Sequence, residues 1–248
     1  MFFKSWILRL KKIYLAEQFK PTFLGVFLNP FYFARKGLYK YIKQFSAHLY
    51  GDILDIGCGQ KPYAHFCNYK RYVGLELDTP ENRKSKKADF FYDGVAIPFE
   101  NSGFDCIMIN QVFEHIFTPN EFLREVNRVT KIDGMLLLTV PFVWDEHEQP
   151  FDYARYSSFG IKYILVENGF EVIEHKKSNN GIEVIFQLLN AYIYKVTNTK
   201  YVAINLLSTL VLMAPINILG LVLSKILPKN DDLYLDNIIL ARKTQNFD

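Results

Sequence analysis

The run Asp52-Ile53-Leu54-Asp55-Ile56-Gly57-Cys58-Gly59-Gln60 constrains this chain more than any other stretch. It reads as an apolar strand that breaks into Gly-x-Gly. A second short strand, Tyr72-Val73-Gly74-Leu75-Glu76, ends in a carboxylate about 20 positions after the turn. A strand, a glycine turn and an acidic strand end, in that order, form the part of an α/β sheet that receives a ribose-bearing ligand. A nucleoside ligand is therefore expected.

The loop discriminates among nucleosides. A dinucleotide site has a third glycine where a helix starts beneath the pyrophosphate. Here Gln60-Lys61-Pro62-Tyr63 follows Gly59 instead, and Asp55 stands at the strand tip. A carboxylate there is poorly placed for an anionic pyrophosphate and well placed for a cationic amine or sulfonium. The expected cofactor is S-adenosylmethionine, and a dinucleotide oxidoreductase is disfavoured.

From Gly51 to Lys177 strands alternate with helical patterns, the signature of a doubly wound parallel sheet. Strands are expected near 52–56, 71–76, 88–92, 104–109, 135–140 and 170–177, with a last one at 234–242. One helix starts at Pro119-Asn120, carries Phe122, Leu123, Val126 and Val129 on its apolar face, and is followed by Gly134. Another runs from a cap at Ser157 or Ser158 to Gly169. The fold class is α/β: a Rossmann-like, doubly wound, seven-stranded sheet with an N-terminal helical extension and a helical insertion before the last strand.

With these pieces in order, the chain resembles the class I S-adenosylmethionine-dependent methyltransferases, in the branch with an Asp-x-Gly-Cys-Gly loop. The resemblance rests on Leu54 to Gly59, Val73 to Glu76, Asp93-Gly94-Val95-Ala96-Ile97-Pro98-Phe99, Phe104 to His115 and Gly134 to Pro141. It runs from about Gly51 to Ser178 and resumes near Leu233. The resemblance implies that Asp55, Gly57 and Gly59, with Gln60, cradle the methionine portion of S-adenosylmethionine. It implies that Glu76, with Asp78 as the alternate, takes the ribose hydroxyls, that Asp93 lies near the adenine amino group, and that Asn110 and Gln111 flank the sulfonium. The family's frequent third glycine is replaced by Lys61-Pro62.

Half of the 248 residues are hydrophobic and 16% are aromatic, which excludes a disordered chain. A net charge of +3 gives no global field for nucleic acid, so no nucleic-acid partner is expected. Cys58, Cys67 and Cys106 show no Cys-x-x-Cys spacing, so neither a disulfide framework nor a structural zinc site is expected, and a reducing cytoplasm is the expected setting.

The expected organisation is an N-terminal extension (1–50), a methyltransferase domain (51–180 and 231–248) and a hydrophobic helical insertion (181–230). In Met1 to Gln18, Phe2, Phe3, Trp6, Ile7, Leu10, Ile13 and Tyr14 recur at helical spacing among basic residues. Such a helix either lies on an anionic lipid surface or caps the domain, and the aromatic and basic stretch Phe31 to Tyr41 favours lipid. Val202 to Ser224 carries no charged residue. A single crossing would separate Tyr234 to Lys243, which resembles the family's last strand, from the sheet it must rejoin. Pro215, followed by Asn217 and Gly220, predicts a break into two shorter helices: a hairpin dipping into one leaflet, a lid, a homodimer interface, or a buried pair. Peripheral attachment on the cytoplasmic face of a membrane is the leading reading.

Methyl transfer needs a general base only where the acceptor is a hydroxyl or a protonated amine. The candidates are His115, after Glu114 beyond strand four, and His147, in the polar run Asp145 to Tyr156 beyond strand five. That run also has the carboxylates and histidine of a divalent-metal site, but no second cluster supports them, so no metal is expected. Asp152-Tyr153-Ala154-Arg155-Tyr156 resembles a pattern of methyltransferases associated with sugar and cell-surface glycan assembly, which makes Asp152, Tyr153 and Arg155 candidate substrate residues. Arg155 would suit a phosphate or carboxylate of the acceptor, or else pair with Asp152. The sequence thus predicts O-methylation of a polar, glycan-related or lipid-linked acceptor at a membrane surface. The alternatives are methylation of a lipophilic small molecule such as a quinone precursor, and a non-catalytic scaffold of the same fold.

Overall fold

The structure is a computed structural model that describes residue 14 and residues 16–85 and 87–247. Most of the amphipathic pattern expected over Met1 to Gln18 therefore lies outside the described residues. The chain forms two compact units: Tyr41–Lys176 with Asp236–Asp248, and Lys177–Leu235 with the described part of Met1–Lys40.

The first unit is built on a seven-stranded sheet of order β3-β2-β1-β4-β5-β7-β6. Its strands are β1 (Tyr50–Ile56), β2 (Asn68–Leu77), β3 (Phe90–Tyr92), β4 (Phe104–Asn110), β5 (Thr130–Pro141), β6 (Phe170–Lys177) and β7 (Asp236–Lys243). β1 runs parallel to β2 and to β4, and β4 parallel to β5. β7 alone is seen antiparallel to its neighbour β5, pairing Leu240 with Leu137. Because successive connections diverge from β1 and β4, which pair Ile56 with Ile109, a crevice opens outside their carboxyl ends.

Central parallel strands are covered on both faces, which is why β1, β4 and β5 read as nearly continuous apolar runs. Leu54, Ile56, Ile107, Ile109, Leu136 and Leu138 are fully buried and pack with Phe122, Leu123, Val126 and Val129 of the helix Pro119–Val129. That helix ends at Val129 and β5 starts at once, so Gly134 is not its stop signal but lies inside the strand. A Cβ at Gly134 would sit 2.7 Å from the Lys131 carbonyl oxygen and 2.9 Å from that of Asp105, so close backbone approach explains this glycine. The helix Ser158–Glu167 has the expected cap: Ser157 Oγ accepts from the Gly160 N–H at 3.1 Å.

In the second unit, the helix Ile182–Thr197 is followed by a helical segment running without interruption from Val202 to Ile226. The break expected at Pro215 is absent. The ring is accommodated by a π segment, Thr209–Met213, whose wider turn bonds the Ala214 N–H to the Thr209 carbonyl just ahead of the proline that has no N–H to give. The segment enters and leaves at one end: Asn180 bridges to Tyr234, and the Gly181 N–H donates to the Leu233 carbonyl at 2.7 Å.

This unit buries a set of amides beside a small apolar cluster of Val26, Tyr32 and Phe33, and exposes much apolar surface. Asn190 Nδ2 donates to Asn217 Oδ1 at 2.8 Å, and Asn217 Nδ2 donates to the carbonyls of Val26 and Asn29 at 2.9 and 3.2 Å. Gln187 donates to the Pro30 carbonyl and accepts from the Ala34 N–H, both at 3.1 Å. All three side chains are fully buried. The Val202–Ile226 segment has a mean hydropathy of 2.3, yet only 28% of its most apolar window is buried, and Leu207, Leu210, Val211, Leu219 and Ile226 face outward. Among the described residues it is the one helix long and apolar enough to cross a membrane.

Asn217→Ala strips two buried carbonyls and Asn190 of their partner, at a cost of roughly 2–3 kcal/mol. Hydrogen exchange read by mass spectrometry should then show amides of 182–226 exchanging roughly 30-fold faster or more than in the parent chain.

Candidate functional site

The crevice is lined first by the turn after β1. Gly57 has φ +70° and donates its N–H to the Leu75 carbonyl at 2.9 Å. A Cβ there would lie 2.2 Å from Val112 Cγ2, so glycine is needed for packing as well as for the turn. Gly59, at φ +52°, is different: a Cβ there would meet nothing within 4 Å, and its N–H donates to Glu76 Oε1 at 2.6 Å. The glycine turn and the acidic end of β2 are thereby fastened together beside open space.

Asp55 is buried at the tip of β1 and its Oδ2 accepts from the Tyr72 hydroxyl at 2.7 Å. Burial pushes its carboxyl up to about 7, opposed by the Tyr72 hydrogen bond and by Lys61 and reinforced by Glu76. Lys61, which stands where the family often has glycine, takes a positive φ of 55° and pairs with Asp89 at 2.5 Å. Gln60 turns its side-chain amide to the Ser85 carbonyl. Asp78 is clamped by Arg83 through bonds of 2.6 and 2.7 Å, which leaves Glu76 as the carboxylate facing the glycine turn. Asp93 is exposed, and its Oδ1 accepts from the N–H groups of Val95 and Ala96 at 2.9 and 3.1 Å, which hold its carboxyl below the usual range. It shapes a turn.

At the tip of β4, Asn110 and Gln111 are held by Thr139 of β5, a residue that sequence reasoning passed over. Thr139 Oγ1 donates to Asn110 Oδ1 at 2.7 Å and accepts from Gln111 Nε2 at 3.3 Å, while Gln111 takes φ +54°. A non-glycine residue in that region stores backbone strain, a feature that concentrates at functional sites.

A second cluster forms where the β4 and β5 loops meet. The Glu114 carbonyl accepts from the N–H groups of Tyr153 and Ala154 at 2.9 and 3.2 Å, which ties the 142–157 loop to the turn Phe113–His115. His115 and His147 are thereby brought edge to face, ring centroids 4.9 Å apart. Each presents Nε2 3.9 Å from Glu114 Oε1. Glu114 is fully buried, and neither carboxylate oxygen has a hydrogen-bond partner. Burial raises its carboxyl to about 8. The Glu-His pair in the sequence was the available signal for it, but only its histidine was weighed as a functional group.

Arg155 forks Asp152 with two bonds of 2.6 Å and also donates to the carbonyls of Ala154, Asp145 and Trp144. Its guanidinium is thus committed to organising the loop rather than held out for an acceptor anion. It keeps the Asp152 carboxyl well below the usual range. Tyr153 is exposed and lies edge-on to Phe117, centroids 5.1 Å apart. Asp152, Tyr153 and Arg155 do share a concavity of about 190 Å³ with Trp144, Glu146 and Ala154.

Strand order, glycine turn and acidic β2 end together define the class I methyltransferase fold, whose ligands bind outside the carboxyl ends of the strands. Residues 54–138 match the family described as methyltransferase domain, and in strand order and glycine turn the chain is similar to the class I S-adenosylmethionine-dependent methyltransferases. An uncharacterized protein of Methanocaldococcus jannaschii is 33% identical over 99 residues, 38% of this chain and 39% of that protein. An uncharacterized methyltransferase of Mycobacterium leprae is 32% identical over 96 residues, 35% of this chain and 36% of that protein. The chain thus spans under two-fifths of the length of these curated relatives. Among solved structures, a SAM-dependent methyltransferase from Archaeoglobus fulgidus superposes with TM-score 0.53 at 18% identity, covering 94% of this chain and 99% of that one. Phosphoethanolamine N-methyltransferase 2 of Haemonchus contortus, in complex with S-adenosyl-L-methionine, gives TM-score 0.53 at 21% identity, covering 93% and 59%.

The raised carboxyl of Asp55 makes a prediction about stability. An aspartate held at about 7 when folded, against roughly 3.9 when unfolded, keeps its proton in the folded chain and loses it on unfolding between those values. Its contribution is full below about pH 4, declines as pH rises toward 7 and is gone above. Urea unfolding of the parent chain and Asp55→Asn at pH 5, 6, 7 and 8 should show the variant gaining on the parent by roughly 1.4 kcal/mol per pH unit, with the gain flattening above pH 7.

Proposed function

We propose that the chain transfers the methyl group of S-adenosylmethionine to an oxygen of a polar acceptor, glycan-related or lipid-linked, at a membrane surface. The observation that carries the cofactor part is the Gly59–Glu76 bond of 2.6 Å beside open space at the crevice. Glu76 offers a carboxylate to the ribose hydroxyls, and Asp55 offers charge to the cationic amine or sulfonium. The reaction is an in-line displacement. The acceptor oxygen forms a bond to the methyl carbon, the carbon–sulfur bond breaks with its electron pair going to sulfur, and S-adenosylhomocysteine leaves. Most of the protein's work is to orient the two partners and exclude water.

The acceptor part draws on the Asp152 to Tyr156 pattern and on the concavity of about 190 Å³ that these residues line. The membrane part draws on the buried amides of the helical unit and its exposed apolar surface. Lys200 lies over the Tyr201 ring at 5.3 Å and Lys225 follows Ser224, so basic and aromatic groups flank the uncharged stretch. These features support the reading of peripheral attachment, with the chain on the cytoplasmic face.

Calorimetric titration of the full chain with S-adenosylmethionine and S-adenosylhomocysteine tests the cofactor part. Asparagine tolerates the left-handed region, so Gly59→Asn should keep the fold while filling the open space, and binding should fall at least 100-fold. A folded parent chain that binds neither compound would sink the reading and favour the scaffold. Co-sedimentation with vesicles of phosphatidylcholine and phosphatidylglycerol tests the membrane part: the parent chain should pellet, and the pair Leu207→Asp, Leu219→Asp should bind at least tenfold more weakly. Equal recovery of both in the supernatant refutes it.

A further inference from the structure

We propose that Glu114, His115 and His147 form a binding site for one divalent transition-metal ion of the zinc class, where the loops after β4 and β5 meet. Their ligand atoms all lie within 4.8 Å of one another. The polar run at 145–156 alone gave no second cluster; the fold supplies one by bringing Glu114 and His115 from the preceding loop against His147.

Three independent features point to a cation. Glu114 is fully buried, and both of its oxygens lack a hydrogen-bond donor even though two histidine Nε2 atoms stand 3.9 Å away. That spacing is too long for a hydrogen bond. It is close to what an ion between the groups requires: ligands at about 2.0–2.2 Å from a common centre are separated by roughly 3.0–3.5 Å, so each Glu114–His pair closes by about half an ångström, and the two imidazoles, within 4.8 Å of each other, by up to about 1.5 Å, to complete the site.

The histidine rings are also oriented as ligands are. His115 Nδ1 is 2.8 Å from the Phe151 carbonyl oxygen. His147 Nδ1 is 3.2 Å from Asp152 Oδ2 and 3.3 Å from the Asp145 carbonyl oxygen. Arg155 Nη2 also lies near His147 Nδ1, at 3.5 Å, but acceptors are closest to each Nδ1; with the proton assigned there, each Nε2, 3.9 Å from Glu114 Oε1, keeps a free lone pair. Arg155, fixed to Asp152 by bonds of 2.6 Å and 3.5 Å from His147 Nδ1, sets the orientation of His147 and is a positioning residue.

The third feature is access. The side chains of His115 and His147 are 16% and 31% exposed, so the cluster is not sealed from solvent. Glu148, on the exposed side, has Oε2 4.0 Å from His115 Nε2 and can supply a further ligand. Two imidazoles and a carboxylate suit zinc, cobalt, nickel or iron better than magnesium or calcium, which prefer all-oxygen sites.

A role follows, and this step alone rests on the methyl-transfer reading. An acceptor hydroxyl entering an open coordination position would lose its proton to solvent more readily, and the resulting alkoxide would attack the methyl carbon. His115 and His147 would then act as ligands instead of general bases.

The test uses the full chain freed of metal by a chelator and dialysed. Zinc chloride is titrated calorimetrically and bound zinc is counted by elemental analysis, with cobalt(II) absorption as a report of ligand geometry. One ion per chain is expected. Glu114→Gln and His147→Gln should each weaken binding at least 100-fold, while His65→Ala, at a histidine outside the cluster, should leave it unchanged. His147 is only partly buried, so its variant keeps the test decisive should Glu114→Gln fold poorly. Less than a tenth of an ion in the parent chain, or unchanged binding in a folded His147→Gln, overturns the proposal. S-adenosylhomocysteine binding is measured on the same samples: its loss together with intact zinc binding refutes the cofactor reading and leaves the metal site standing.

Discussion

Asp55 is the costly residue around which the crevice is organised. A carboxylate at the tip of the central strand is only 4% exposed, and the sheet can hold it there only because Tyr72 of β2 reaches it at 2.7 Å and Lys61 lies within electrostatic range. The register fixes this geometry: Asp55 pairs with Gly74 and with Met108, so both neighbouring strands must be parallel and in place before its partners arrive. The same alignment brings the Gly59 N–H to Glu76. A fold that needed only stability would place an apolar residue at this position. Retaining a buried carboxylate is consistent with a site preorganised for a cation, which regains on binding what the folded chain gave up in solvation.

The second cluster repeats this logic with a different outcome. Asp55 has a hydroxyl donor; Glu114 has none, and lies near the further acidic groups Asp236 and Asp152. Such a carboxylate is kept either by holding a proton or by holding a cation. The two imidazoles aimed at it favour the cation, since a protonated carboxyl group would still lack an acceptor within hydrogen-bond distance. The charge of Arg155 is already taken by Asp152, so it relieves Glu114 only partly.

Much of the sheet was legible because buried parallel strands are written as short apolar runs, and Ile53 to Ile56, Cys106 to Ile109 and Leu136 to Val140 are such runs. What sequence spacing could not reveal was which polar groups would already be occupied. Asp78 and Arg155 have the composition of binding residues, and both are paired within the fold, Asp78 to Arg83 and Arg155 to Asp152. Thr139 and Glu114 matter through contacts 29 and 33 positions away along the chain, which no local pattern encodes. Gly134 and Pro215 misled for a related reason: each was read as punctuation, and tertiary packing in one case and a π turn in the other override the local preference.

The proposed membrane attachment of the helical unit rests on the same rule applied to a different solvent. In water, buried Asn190, Asn217 and Gln187 would be an expensive core, and the exposed Leu207, Leu210 and Leu219 a liability. Against hydrocarbon both features become favourable, because amide hydrogen bonds then hold helices together where apolar contact no longer discriminates between protein and lipid. Gly220 serves the same end, since a Cβ there would come within 2.8 Å of Phe33 and 3.0 Å of Phe186, a closeness of approach that only glycine permits. The entry and exit of the hairpin are joined by the Asn180–Tyr234 bridge, and β7 rejoins the sheet beside β6. Under the proposed peripheral attachment, a segment constrained to return in this way meets one leaflet without dividing its own sheet, which reconciles a span-length apolar helix with a last strand that rejoins the sheet.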